Sequence, residues 1–514
     1  MFKCAILSIT VLLTACGGGG SGGGNSPTDS NSSNSVDSTL TSGVGNFISG
    51  PSTPEAPPTS IPFFSEIANP IQISGVLTDS VMSINANTID INRDGKDDLV
   101  VHFFSNANYG KSGLGNTPCV NYIKIFIRQN TGSFVDQTDT YIPGSKDLGG
   151  CSRKSKVADF NGDGRLDITF AINQEDGRIS TDATESNAQL AVLVSNGSTY
   201  EVKKFNNPNW YHSVGFGYDS NNKAFIAGNG YVGSVDSSGG FSASYDNTIS
   251  SSSQNIPWIS PGTFEFFNTS GTNTESTFLL EDGQYPKVGV IQGYAKDSRN
   301  NWTALADYNP VQVVGYEDTI GYNGQSQGQQ PVSSIGGRFI AFGGFVETCK
   351  FKMTPTSPTT IIFKYSGSEI VNYTPGTTIR QLDFKPMTKL ISVSIVNNQI
   401  VPVSLNIDHE QVTDVNSNFF DCKDINGDGY MDIIVYPYNK TGLPYVYLNN
   451  KQNGFTYAGQ SMFPTASLTW GNSASSILHD FDKDGIPDLF IWPANGITSS
   501  TVTYKYYKGQ KLFQ

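Results

Sequence analysis

The stretch DINRDGKDD at 90–98 recurs in pattern as DFNGDGRLD at 159–167, DINGDGYMD at 424–432 and DFDKDGIPD at 480–488. Its form is D-x-[ND]-x-D-G-x-x-D. In a chain of this composition one such match arises by chance with a probability of about one in 500, so four report a repeat. The spacing has a physical reason. Ca²⁺ takes roughly six to eight oxygens at about 2.3–2.6 Å, and alternating acidic side chains on a tight loop can converge on one point. The glycine at the sixth position supplies the positive φ that the turn needs.

The predicted side-chain ligands of the first loop are Asp90, Asn92, Asp94 and Asp98, with Lys96 through its carbonyl. The second loop offers Asp159, Asn161, Asp163 and Asp167, with Arg165 through its carbonyl. The third offers Asp424, Asn426, Asp428 and Asp432 with Tyr430, and the fourth Asp480, Asp482, Asp484 and Asp488 with Ile486. Position 7 varies freely in type, as expected where only a backbone oxygen matters. About four structural calcium ions are therefore expected. An EF-hand needs Glu at position 12 and flanking helices. Position 12 is instead Val101, Phe170, Val435 or Ile491, inside the strand-like runs LVVHFF, ITFAI, IIVYPY and LFIW. Acidic turns without metal are disfavoured, because clustered carboxylates repel without a cation.

The loops mark a longer period. After each comes a second apolar strand ending in a turn, as in YIKIFIRQNTGSF (122–134), LAVLVSNGSTY (190–200), YVYLNNKQNGF (445–455) and VTYKYYKGQKLF (502–513). Neighbouring loops start 69 and 56 residues apart, and the wide gap of 265 fits about four periods of 66. Remnants are read at Tyr218-Asp219-Ser220-Asn221 and at Glu281-Asp282-Gly283; none is found near residue 350. The count predicts seven units.

These residues resemble the FG-GAP/VCBS repeat family, the integrin-α-type β-propeller, which carries this calcium loop between the first two strands of a blade. The resemblance is specific at the four loops and their strands. It implies an all-β, seven-bladed β-propeller over 62–514, at about 65 residues per blade. An N-terminal strand, Ile71–Leu77 or Met82–Ile89, is expected to close the ring. Family analogy also points to protein or glycan binding on the face opposite the calcium loops, although fold alone does not fix function.

Composition agrees. Charged residues make up only 15%, Gly is 54 and aromatics are 12%, which favours strands and turns over a helical bundle. The net charge of −13, without any basic run, disfavours nucleic acid and anionic membrane surfaces as partners. At the N-terminus, Lys3 precedes the apolar stretch Ala5–Leu13, and Leu13-Thr14-Ala15-Cys16 resembles the lipobox of bacterial lipoproteins. A signal peptide over 1–15, lipidation of Cys16 and outer-membrane sorting are expected. Residues 16–61 are poor in large apolar groups and read as a disordered tether of roughly 35–40 Å span. Past the signal and Cys16 remain Cys119, Cys151, Cys349 and Cys422, an even number suited to disulfides in an exported chain. Three pairings are open, and proximity favours Cys119–Cys151 with Cys349–Cys422.

Catalytic signals are weak. Gly324-Gln325-Ser326-Gln327-Gly328 matches a nucleophile-elbow pattern but lies in a polar run without the strand and helix that an elbow needs. His102, His212, His409 and His479 are scattered, and His479 is expected to pack or hydrogen-bond at its loop. No catalytic residue is predicted. Trp210 with Tyr211, Trp258 and Trp302 sit beside amides and suit sugar stacking or protein contact; packing between blades is the favoured alternative for the tryptophans. The expected function is a tethered envelope lipoprotein that binds a protein or glycan. The alternatives are an enzyme on polysaccharide and a structural envelope subunit.

Overall fold

The computed structural model describes residues 64–74, 81–105, 120–173, 188–206, 215–218, 224–228, 231–245, 264–268, 277–282, 291–296, 301–308, 340–352, 359–371, 383–407, 419–436, 441–442, 444–451, 454–459, 468–469, 476–491, 497–498 and 501–510. Among them the regular structure is β, apart from one helical turn, Thr138–Tyr141. The signal segment, Cys16, the tether, Cys119, Trp210, Tyr211, Trp258 and the 324–328 pentapeptide lie outside the described residues.

Five sheets have four strands in simple up-and-down order, within 81–136, 151–206, 215–245, 264–304 and 340–402. Two sheets have five strands, one within 406–459 and one joining Phe64–Ser74 to strands within 476–509. A two-stranded ribbon pairs Thr441–Gly442 with Leu468–Thr469. The expectation of seven like blades is thereby corrected to five four-stranded blades, since the other two sheets each carry an added strand. Asn406–Ile407 adds in parallel to Gly454–Gly459, and Ile497–Thr498 folds onto Thr501–Gly509.

The first strands of successive sheets meet in a circuit. Val81–Ile89 touches Cys151–Ala158, which touches Gly215–Tyr218, which touches Phe264–Asn268. Ile340–Lys352 touches Phe419–Lys423, which touches Ser476–His479, which returns to Val81–Ile89. Between the sheets of 264–304 and 340–402 lies an apolar cluster containing Ile291, Ile361, Phe363 and Val393. Sheets that pack face to face around a circuit make a β-propeller. Phe64–Ser74 pairs antiparallel with Thr501–Gly509 and so covers a strand edge. The closing strand is therefore the earlier of the two expected, and Met82–Ile89 belongs to the first sheet.

Strand alternation explains the circuit. Successive side chains point to opposite faces, and the sheets of 81–136 and 406–459 are covered on both. Leu99, Val101 and Phe103 face the closing sheet, whereas Val100 faces the sheet of 151–206. Likewise Ile433 and Val435 pack toward 340–402, and Ile434 toward 476–509. That is why Leu99–Val101 and Ile433–Val435 read as unbroken apolar runs.

One seam is polar. Between the first two sheets, Asn87 Nδ2 donates to Ser155 Oγ at 2.9 Å, and His102 Nδ1 meets Ser152 Oγ at 3.4 Å. His102 is fully buried with Phe170 edge-on at 4.6 Å, and burial holds its pKa down to about 3. A depressed histidine stabilises the fold above its unfolded pKa, and this contribution is lost as pH falls toward the folded value. From pH 7.5 to 5.0 the loss from this group is about 2 kcal/mol. Urea unfolding at both pH values should show a smaller loss for His102→Gln than for the wild type. Equal pH slopes would refute this.

Candidate metal loops

Each acidic loop joins the first strand of its sheet to the second, as the repeat implies: 90–98 follows Val81–Ile89, and 480–488 follows Ser476–His479. The backbone turns through two left-handed residues. Position 6 is Gly95, Gly164, Gly429 or Gly485, with φ of 80–87°. Position 4 is Arg93, Gly162, Gly427 or Lys483, with φ of 59–76°. The sequence reading found the first requirement and missed the second, whose signal was glycine in two loops of four.

The side chains wrap the turn in the same way each time. Asp90 accepts from the N–H groups of Asp94 and Gly95 at 3.0 and 2.9 Å. Asn92 accepts from Asp94 N at 3.0 Å, and Asp94 from Lys96 N at 2.9 Å. Asp480, Asp482 and Asp484 repeat these contacts. Their carboxylates each place an oxygen within 4.8 Å of the others. In the other loops position 3 is Asn92, Asn161 or Asn426, which offers a neutral oxygen instead.

Position 9 also reaches beyond its loop. Asp98, Asp167, Asp432 and Asp488 are fully buried. Asp98 accepts from Ile91 N in its loop at 2.9 Å and from Arg128 N in the third strand at 2.8 Å. Asp432 joins Ile425 N to Asn449 N in the same manner, at 2.9 and 2.8 Å. These carboxylates bracket the loop to the sheet.

Charge in the loops is only partly neutralised. Burial, followed by the Asp428 charge, pushes the Asp424 carboxyl up to about 6. Burial, followed by Asp484 and Asp482, raises that of Asp480. Burial takes Asp98 to about 6 and Asp167 to about 7. Ammonium groups answer from outside: Lys96 on Asp94 at 3.0 Å, Lys451 on Asp428 at 3.2 Å, and Lys508 on Asp482 and Asp484. Hard oxygen donors with excess negative charge are the chemistry that a divalent cation fits. The position 1, 3, 5 and 9 side chains with the position 7 carbonyl are the donors that would hold it, and the ion would supply charge rather than catalysis.

The four loops adjoin one another, because their sheets are consecutive around the circuit. His479 Nε2 meets Asp97 Oδ2 at 2.7 Å, so this histidine bonds to a neighbouring loop as well as packing on Phe481. Burial raises the Asp97 carboxyl, but the His479 bond and the Lys483 and Arg128 charges outweigh it and leave it below its ordinary value. Trp302, expected as a ligand-stacking candidate, is 7% exposed and packs within the fold. Glu281 and Asp282 end the second strand of their sheet, so they are not a relic of the first-to-second-strand loop. Residues 219–223 do connect a first strand to a second, although Asp219-Ser220-Asn221 lies outside the described residues.

Fold and loops together define a β-propeller built from repeats with acidic turns. The chain carries FG-GAP-like repeats, matched over residues 90–170 and 424–491. No curated protein matches it by sequence. Similar solved structures include the Malassezia sympodialis allergen Mala s 1, at 8% identity and a TM-score of 0.33, covering 88% of this chain and 98% of that one. The V. cholerae biofilm matrix protein Bap1 is similar at 10% identity and a TM-score of 0.34, covering 89% and 91%. The Dos1 propeller is similar at 11% identity and a TM-score of 0.37, covering 86% and 95%. The fold assignment rests on the strand pairing and the repeats rather than on these likenesses. Among the described residues, no helix is long and apolar enough to cross a membrane.

Proposed function

We propose that this chain is a cell-envelope lipoprotein whose calcium-stabilised β-propeller binds an extracellular or envelope partner, a protein or a glycan. Cys16 carries the lipid, and residues 17–61 hold the head away from the surface. The carrying observation is the convergence of Asp480, Asp482 and Asp484, with the same turn built at the three other loops. Each ion would cross-link a loop that otherwise repels itself, and four would offset +8 of the −13 charge. Sites of this sort outside cells are tuned to dissociation constants of roughly 10⁻⁴–10⁻³ M. At a fifty-fold excess of calcium over the dissociation constant, each loop gains about 2 kcal/mol. Thermal melting should therefore drop when a chelator is added. An unchanged melting temperature, with no calcium by elemental analysis, would sink the metal reading. For the partner, a glycan array with product analysis is decisive. Binding without turnover supports this function, whereas released oligosaccharide transfers the protein to the polysaccharide-acting enzymes.

A further inference from the structure

Two cations at the fourth position of their loops make the same unusual contact. Arg93 Nη2 donates to the carbonyl of Gly164, position 6 of the next loop, at 3.1 Å. Lys483 Nζ donates to the carbonyl of Gly95, again position 6 of the next loop. The glycine carbonyl gripped in each case belongs to the peptide whose own N–H, on Lys96 or Arg165, donates to the position 5 carboxylate at 2.9 or 2.8 Å. A side chain of one loop thus fixes the peptide plane that orients an acidic group of its neighbour. Arg165 returns the grip by donating to the Ile91 carbonyl at 2.9 Å.

Position 4 makes this costly. Arg93 and Lys483 both sit at φ +59°, where a side chain costs about 1 kcal/mol or more relative to glycine. The other two loops use glycine there. Loop 159–167 is followed by a sheet whose sequence lacks the matching nine-residue motif. Gly427 faces Ile486 of the following loop at ordinary van der Waals distance, an added Cβ lying 3.5 Å from Cγ1, so this contact does not itself exclude a side chain. In two of the three loops that another acidic loop follows, a strained cation thus grips that neighbour through its glycine carbonyl.

We infer that the loops at 480–488, 90–98 and 159–167 bind divalent cations as a coupled series, with Lys483 and Arg93 as the coupling residues. This rests on the calcium reading above and deepens it. Ordering one loop around its ion fixes the position 4 side chain, which pre-orients the next loop and removes part of its ordering cost. Coupling of this kind is positive and reciprocal.

Hydrogen exchange of the peptide covering 90–98, followed along a CaCl₂ titration of the full chain, tests it. Asp484→Ala, which disables the loop before it, should raise the calcium midpoint for protection of 90–98 by about five-fold in the wild-type background. In a Lys483→Gly background, whose backbone is free of strain at that φ, the same substitution should leave the midpoint unmoved. Arg93→Gly should likewise uncouple 159–167 from 90–98. Equal shifts in both backgrounds, or no shift in either, would overturn the coupling while leaving the metal sites standing. Absence of any calcium-dependent protection would overturn the metal reading, and the coupling with it.

Discussion

Asp167→Ala lowers the stability of the fold by about 4 kcal/mol, and does so with chelator present. The wild-type carboxylate is fully buried and accepts from Phe160 N at 2.8 Å, Asn161 N at 3.2 Å and Ser195 N at 2.6 Å. Alanine leaves three donors buried with nothing to accept them. A buried orphan costs about 1–3 kcal/mol, and neighbouring losses overlap rather than add. Asp167→Asn keeps one accepting oxygen and should lose about half as much. The measurement is urea unfolding in EDTA. Were Asp167 only a metal ligand, wild type and variant would unfold together in EDTA and separate only in calcium; that result would dismiss the bracket. The same bracket recurs at Asp98 and Asp432; Asp488 accepts from Gly509 N at 3.0 Å and from the Tyr506 hydroxyl, while Phe481 N of its loop donates to the His479 carbonyl at 3.0 Å. At Asp98, Asp167 and Asp432, position 9 therefore holds the turn to the sheet independently of any ion.

The acidic pattern exposed the architecture because its spacing is fixed by backbone geometry. Asp90 through Asp98 must leave one strand and enter the next, so every copy of the motif also locates a hairpin. Position 12 was legible for a related reason. Val101, Phe170, Val435 and Ile491 each have no exposed surface, as residues in a strand covered on both faces must. Away from the motif the guide disappears. Ile340–Lys352, Thr359–Val371 and Asp383–Val396 form one sheet of long strands, yet no acidic turn announces them. The Glu281-Asp282 pair looked like a worn loop because composition alone cannot separate a carboxylate on a turn from one at a strand end. The two roles differ only in which N–H groups lie within reach. Arg93 and Lys483 were invisible for the opposite reason: their importance lies in a carbonyl on another blade. Pairwise contacts between units separated by 71 and 388 residues leave no local trace.

The Cys349–Cys422 disulfide is the second large term. It joins the first strand of one sheet, Ile340–Lys352, to the first strand of the next, Phe419–Lys423, across a sequence separation of 73. Of the favoured pair of bonds, Cys349–Cys422 is formed, and its companion Cys119–Cys151 involves a residue outside the described set. Closing a chain segment of that length restricts the unfolded ensemble by about 4 kcal/mol. The sulfurs also fill a cluster with Ile362, Leu390, Ile433 and Tyr447, so truncation removes some packing too. Cys422→Ala and the Cys349→Ala/Cys422→Ala double variant should each unfold about 4 kcal/mol more easily than wild type in non-reducing urea. The two should lie close together, because either one abolishes the bond. A loss below about 1 kcal/mol would show that the sheets hold their junction without it. The location decides a further consequence. Cys422 stands two residues before Asp424, so the strand that the bond anchors also carries the acidic loop at 424–432. Freeing that strand should loosen the loop as well, and the variants should need more calcium than wild type to reach full protection of 424–432 in hydrogen exchange. Unchanged calcium dependence in destabilised variants would separate the two effects and confine the disulfide to the junction between sheets.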